Sequence, residues 1–134
     1  MEISMPTAAN IVINDAVPAA RTFAPVTVSP GRSALYEKTV SLTSGGMASI
    51  VLDFSLASPK RKTDRVAVRL NLPKEVTDVN GVTTVASTAR FEGVWVIPEN
   101  FTTAERGDFE ALVDNLIGHA TVEAYVKSRD PFYG

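Results

Sequence analysis

The sequence predicts an α+β fold in which the strands come first and two helices close the chain. Three observations predict it. Apolar and polar residues alternate at period two in three segments between Ser49 and Ile97, as in a sheet with one face buried. After Pro98 the period lengthens to that of an amphipathic helix. Between the two regimes, Thr102-Thr103-Ala104-Glu105 fits a capping box, in which threonine and glutamate satisfy each other's unpaired backbone donors.

Taken in order, Met1 to Asn10 has no period and is expected to be a loose arm. Ile11-Val12-Ile13 before Asn14-Asp15 reads as a short strand ending in a turn. Thr22 to Val28 is the next strand, although Pro25 makes it an edge or a broken one. Ser29-Pro30-Gly31 is a turn, Leu35 to Leu42 is strand-like, and Ser44-Gly45-Gly46 ends it. From Ser49 to Ala57, Ile50, Leu52, Phe54 and Leu56 share one face, with Ser49, Val51, Asp53 and Ser55 on the other. Pro59 to Asp64 is a basic turn. Val66, Val68, Leu70 and Leu72 then alternate with Arg65, Ala67, Arg69 and Asn71, and Phe91, Gly93, Trp95 and Ile97 with Arg90, Glu92, Val94 and Val96. The connection from Pro73 to Ala89 is either a long flexible loop or a hairpin reaching beyond the sheet; Asn80-Gly81 within it is a strong turn signal.

In the first helix Phe109, Leu112, Val113, Leu116 and Ile117 form one stripe, and Gly118 is placed to end it. A shorter helix is expected from Thr121 to Arg129, with Val122, Tyr125 and Val126 on one side. Glu123 near its start and Lys127 and Arg129 near its end complement the helix dipole. The apolar sheet face needs a cover, and two short helices are the only candidates. Each is too small to cover a wide sheet alone, so a second subunit is expected to share the task.

The 134 residues suit one domain spanning 1–134, with arm 1–10, sheet 11–98 and helices 102–129. A chain of this size buries roughly two thirds of its unfolded surface, enough for a real core. No apolar run approaches the length of a bilayer span, and no basic segment precedes an apolar one at the start. The chain is therefore expected to be soluble, with no membrane partner and no recognisable export signal. Without cysteine there is neither a disulfide framework nor a thiolate metal site. His119 is the only histidine, which excludes most zinc sites and histidine-based triads. It follows a glycine that ends a helix and reads as a surface or cap residue. Glu105, Asp108 and Glu110 lie early in a helix, where acids favour the dipole, and do not read as a catalytic pair. No cofactor, no small-molecule substrate and no enzymatic activity is expected. Fifteen acidic against thirteen basic residues give no bulk attraction to nucleic acid, so any RNA contact must come from a local array of cations.

Several stretches, in this order, resemble the levivirus coat proteins, the capsid subunits of single-stranded RNA bacteriophages. The best is Ser55-Leu56-Ala57-Ser58-Pro59 leading through the basic turn into Arg65-Val66-Ala67-Val68-Arg69-Leu70-Asn71-Leu72-Pro73. A second is Phe91 to Arg106, FEGVWVIPENFTTAER, and a third the ending Asp130-Pro131-Phe132-Tyr133. The resemblance covers residues 35 to 134; before that the hairpin fits by pattern only. It implies an N-terminal β-hairpin and a five-stranded antiparallel sheet, paired edge to edge through the last strand with a second copy into a continuous ten-stranded sheet. Each subunit's helices would lie across the partner's half, giving an intertwined homodimer. It implies further an icosahedral shell around single-stranded genomic RNA, with the Pro73–Ala89 segment meeting its copies at symmetry axes, and hence a location in the virion after assembly in the bacterial cytoplasm. Without cysteine those contacts are non-covalent.

In that family the open sheet face grips an RNA hairpin and represses translation. The matching positions are Asp53 and Ser55, then Arg65, Arg69 and Asn71, then Arg90 and Glu92. Arginine forks bind phosphate bidentately, while Ser, Asn and carboxylates can read base edges in single strands. From Pro59 to Glu75 the local net charge is +4, so phosphate affinity can reside there despite the acidic whole. The three strands carry no aromatic residue on that face, which favours packaging contacts over a specific operator. Trp95 falls on the apolar side and reads as core. Two other readings of the chain are a free dimeric RNA-binding regulator that forms no shell, and a small enzyme or ligand-binding domain, for which no base, nucleophile or metal cluster is visible.

Overall fold

The structure, a computed structural model, describes residues 9–38 and 44–129. Most of the expected arm, the far end of the expected Leu35–Leu42 strand and the Asp130–Tyr133 ending lie outside the described residues. The chain divides into two compact units, one reaching to Val96 and one beginning at Ile97.

The first unit is an antiparallel sheet whose spatial order follows the sequence: β1 (Ile11–Asn14), β2 (Ala20–Ser29), β3 (Arg32–Tyr36), β4 (Ser49–Ser55), β5 (Thr63–Thr77) and β6 (Thr83–Pro98). β1 joins the β2–β6 run only through β2, so the hairpin and the five-stranded sheet share that strand. The first half of β2, Ala20 to Phe23, pairs with β1; the second half, from Ala24, pairs with β3, and the register shifts between Pro25 and Thr27. Pro25 therefore sits just past the end of the β1 ladder, where a missing N–H is tolerated. Pro73 repeats the arrangement, because the β4 ladder on β5 ends at Asn71.

Two hairpin tips are fastened alike. Asp15 Oδ1 accepts hydrogen bonds from Val17 N at 3.0 Å and Ala19 N at 2.8 Å, while Asp15 N donates to Ala19 O. At the other end of the sheet Asp78 Oδ1 accepts from Asn80 N at 2.8 Å and Val82 N at 3.0 Å, and Asp78 N donates to Val82 O. The aspartate side chain replaces backbone acceptors that a five-residue connection cannot supply. Gly81 supplies the positive φ of 81° that the second tip requires. The Pro73–Ala89 connection is thus a hairpin and not a loop: β5 and β6 run on to Thr77 and from Thr83. Gly31, with φ 79°, turns β2 into β3 so closely that an added Cβ would stand 2.8 Å from Phe54 O.

The expected strand beginning at Leu35 starts three residues earlier, at Arg32, and ends at Tyr36. Ser44–Gly46 forms a single 3-10 turn. The core lies on one face: Phe23, Leu35, Ala48 and Ile50 are buried, with Ile11, Leu52 and Leu70 packed against them. Burying such a side chain contributes roughly 1.5–3 kcal/mol. The cover thins along β4, and Phe54, on the same face, remains 51% exposed.

The second unit holds α1 (Thr103–Ile117) and α2 (Ala120–Ser128). The capping box is present: Thr102 Oγ1 accepts from Glu105 N at 3.2 Å and Glu105 Oε1 accepts from Thr102 N at 3.0 Å. The Thr102 backbone N–H, and after it the Thr102 side chain, holds the Glu105 carboxyl below its ordinary range. Gly118 caps α1 with an ordinary negative φ of −87° and not in the left-handed form. His119 caps the start of α2, its Nδ1 accepting from Thr121 N at 3.2 Å. Of the α1 stripe, Phe109 and Val113 are half-buried, but Leu112 is 69% and Leu116 63% exposed.

Candidate nucleic-acid interface

Strand register decides which side chains share a face, since directly paired residues project to the same side. Arg32 pairs with Asp53, Ser55 with Arg65, Asp53 with Ala67, Val51 with Arg69 and Ser49 with Asn71. Glu92 on β6 lies within ion-pair distance of Arg69 on β5, and Arg90 is two residues from Glu92 on the same side. All seven expected residues, Asp53, Ser55, Arg65, Arg69, Asn71, Arg90 and Glu92, therefore fall on the face opposite the core.

They are not equally available. Glu92 Oε1 forms ion pairs with both arginines, 2.9 Å from Arg69 Nε and 3.3 Å from Arg90 Nε. One carboxylate oxygen thus sets two guanidinium groups side by side and occupies only their inner nitrogens. Arg65 is exposed and has no ion-pair or hydrogen-bond partner among the described residues. Asn71 is half-buried, its Nδ2 donating to Ser49 Oγ at 3.2 Å, and stands at the margin of the open surface. The Ser55 hydroxyl accepts from Arg61 Nη2, so it is held by the adjoining turn.

Arg61, counted among the cations of the basic turn, serves the turn itself. Its Nη2 donates to Leu56 O at 3.0 Å and its Nε to Thr63 O at 3.2 Å. Asp64 Oδ1 accepts from Ala57 N at 2.6 Å across the same bend.

Two further residues join the face, Arg32 because β3 begins earlier than its apolar pattern suggested and Tyr36 because the face extends past the three strands between Ser49 and Ile97. Arg32 Nη1 reaches the Asp53 carboxylate at 3.4 Å, adding a fourth arginine. Tyr36, paired with Ser49, places one aromatic ring on this side of the sheet. The signal lay in the alternation Arg32-Ala34-Tyr36 against Ser33-Leu35-Glu37. Counting Arg32, Arg65, Arg69 and Arg90 against Asp53 and Glu92, cations outnumber carboxylates two to one. Among the described residues no group of three or more metal-ligating side chains converges, and no helix is long and apolar enough to cross a membrane.

Solved structures with this arrangement are viral coat subunits. The virus-like particle of Beihai levi-like virus 21 superposes with a TM-score of 0.85 at 27% identity, covering 96% of this chain and 100% of that one. The particle of bacteriophage ESE058 gives 0.81 at 22% identity over 93% and 98% of the two chains. The bacteriophage GA capsid protein gives 0.75 at 20% identity over 96% and 100%. No curated protein matches the chain in sequence. The chain belongs to the levivirus coat protein family, which it matches over residues 6–133. Its role is accordingly structural, that of a capsid protein and not of an enzyme.

Proposed function

We propose that the chain acts as one coat-protein domain that pairs through β6 with a second copy. Strands β2–β6 of each would form a continuous ten-stranded sheet, with the helices of each copy laid over the other's half. These intertwined dimers close into an icosahedral shell around single-stranded RNA, with the arginine-bearing face turned inward. The same face takes an RNA hairpin as a translational repressor.

One observation carries the dimer: apolar surface is left open on both units. Phe54, Leu72 and Phe91 on the sheet and Leu112, Leu116 and Ile117 on α1 are all exposed in the single chain, and such patches mark association surfaces. The sixteen-residue β6 supports the geometry. It is the outer strand of the sheet, and an edge of that length is a template for pairing unless something occupies it.

Expression of the chain followed by size-exclusion chromatography and negative-stain microscopy tests this reading. Closed particles containing nuclease-protected RNA are expected. A discrete dimer that binds RNA without forming particles would replace the shell with a free regulator, and a stable monomer would overturn the proposal.

A further inference from the structure

Asn80-Gly81 stands at the tip of the β5–β6 hairpin, and the function proposed above makes no use of it. Both residues are exposed, and no hydrogen bond holds the Asn80 carboxamide among the described residues. A Cβ placed on Gly81 would meet no atom within 4 Å, so nothing crowds the peptide bond between the two. We infer that Asn80 is a site of spontaneous modification, converted through a cyclic imide to aspartate and isoaspartate, and that the Asp78 clasp around the tip sets its rate.

The chemistry needs only the chain and water. The Gly81 nitrogen loses its proton to hydroxide and attacks Asn80 Cγ. The new N–Cγ bond closes a five-membered imide, the Cγ–Nδ2 bond breaks, and Nδ2 takes a proton from water and leaves as ammonia. A second water then opens the ring. Attack at Cγ leaves aspartate in an ordinary chain, and attack at the main-chain carbonyl leaves isoaspartate, with the backbone routed through the former side chain. Glycine is the neighbour that permits this best, since no Cβ shields its nitrogen and its backbone turns freely. Every other asparagine is followed by a residue whose side chain screens that nitrogen: Ile11, Asp15, Leu72, Phe101 or Leu116.

The folded tip opposes the step. Gly81 N donates to Asp78 O at 3.1 Å, which ties down the nucleophile. Asp78 Oδ1 accepts from Asn80 N at 2.8 Å and Val82 N at 3.0 Å, pinning the backbone on both sides of the reacting bond. Its negative charge also disfavours a deprotonated nitrogen close by. Reaction therefore waits on brief local opening of the tip. Once it has occurred, a second carboxylate lies close to Asp78 and beside the fully exposed Val79. The isoaspartate form also lengthens the backbone, so that the clasp between Asp78 and Val82 no longer fits.

The test incubates the purified full-length protein in warm, mildly alkaline buffer beside a free peptide of the sequence Thr77–Thr83. Peptide mapping by mass spectrometry and enzymatic isoaspartate labelling follow each asparagine. The peptide is expected to convert fastest and the protein more slowly, at Asn80 before any other asparagine. Asp78→Ala, which removes both side-chain bonds, should convert roughly fivefold faster than the unaltered protein, the effect of losing about one hydrogen bond's net worth from the closed tip. Asp78→Asn keeps an acceptor oxygen and should retain most of the protection. If Asn80 keeps its amide in both the unaltered protein and Asp78→Ala after the peptide has fully converted, the site is overturned. Equal rates in the unaltered protein and Asp78→Ala would overturn the role of Asp78.

Discussion

Arg21 on β2 and Glu37, just past β3, form an ion pair on the core face of the sheet. Arg21 Nε donates to Glu37 Oε2 at 2.8 Å and Nη2 to Oε1, a two-pronged contact, and Glu37 is only 2% exposed. The hydrogen bond to Glu37 raises the Arg21 pKa above its ordinary value. Removing one partner strands the other. Glu37→Ala should cost about 3 kcal/mol, the low end for a broken buried pair because Arg21 keeps some solvent contact. Replacing both with methionine should recover most of that loss. Urea melts of the unaltered protein and the two variants measure it, and a double variant no better than the single one would show that the pair is not the unit of stability.

The Glu105 carboxyl provides the acid limit of the helical unit. Its folded pKa is depressed, chiefly by the Thr102 backbone N–H and then by the Thr102 side chain. A depressed carboxylate contributes stability that is present above its unfolded pKa, roughly 4.3, and lost as pH falls through the lower folded value. The start of α1 should therefore loosen below about pH 4. Thr102→Ala should cost about 1 kcal/mol at neutral pH and flatten this dependence. Amide exchange at Thr102 and Glu105 across an acid titration would reveal it, and identical profiles for both proteins would refute it.

How much of this was legible in the sequence depends on what each residue answers to. The strands around Ile50, Val68 and Trp95 could be read because one face excludes water and the other does not, which writes period two directly into the chain. The capping box of Thr102 and Glu105 is local chemistry and was equally plain. Arg32 was harder to read, although it shares the alternation of Ala34 and Tyr36. Its strand was recognised by its apolar residues, and a charged residue at the strand start looks like part of the preceding turn until the register with Asp53 is known. Pro73 misled in the same way, since only the end of the neighbouring ladder at Asn71 shows that a proline is harmless there. The Arg69–Glu92–Arg90 cluster depends on β5–β6 pairing, and no local pattern encodes that.

Arg61 and Arg65, four residues apart, should behave in opposite ways. Arg61 is bonded to Leu56 O, Thr63 O and Ser55, so Arg61→Ala should destabilise the fold by about 1–2 kcal/mol, the loss of partly solvated charge-assisted bonds. Arg65 and Arg69 lie on the open face, and the double change to alanine should lower the RNA content of purified particles while leaving thermal stability nearly unchanged. The ratio of absorbance at 260 and 280 nm, set beside a thermal melt, separates the two roles. Unchanged RNA content in the Arg65/Arg69 variant would remove phosphate binding from this face.

Leu112 and Leu116 test the proposed cover. They lie one turn apart on α1, and both are more than 60% exposed in the single chain, so an acidic substitution there has nothing within the chain to disturb. If they stay in water, Leu112→Glu and Leu116→Glu should be within about 0.5 kcal/mol of neutral, like other surface changes. If a second copy buries them, each glutamate must be desolvated without a partner, at a cost of several kcal/mol. The expected outcome is the second: the helix persists by circular dichroism, but light scattering finds neither dimer nor particle. Normal assembly of either variant would place the α1 stripe in solvent and remove the reason for a helix-covered dimer.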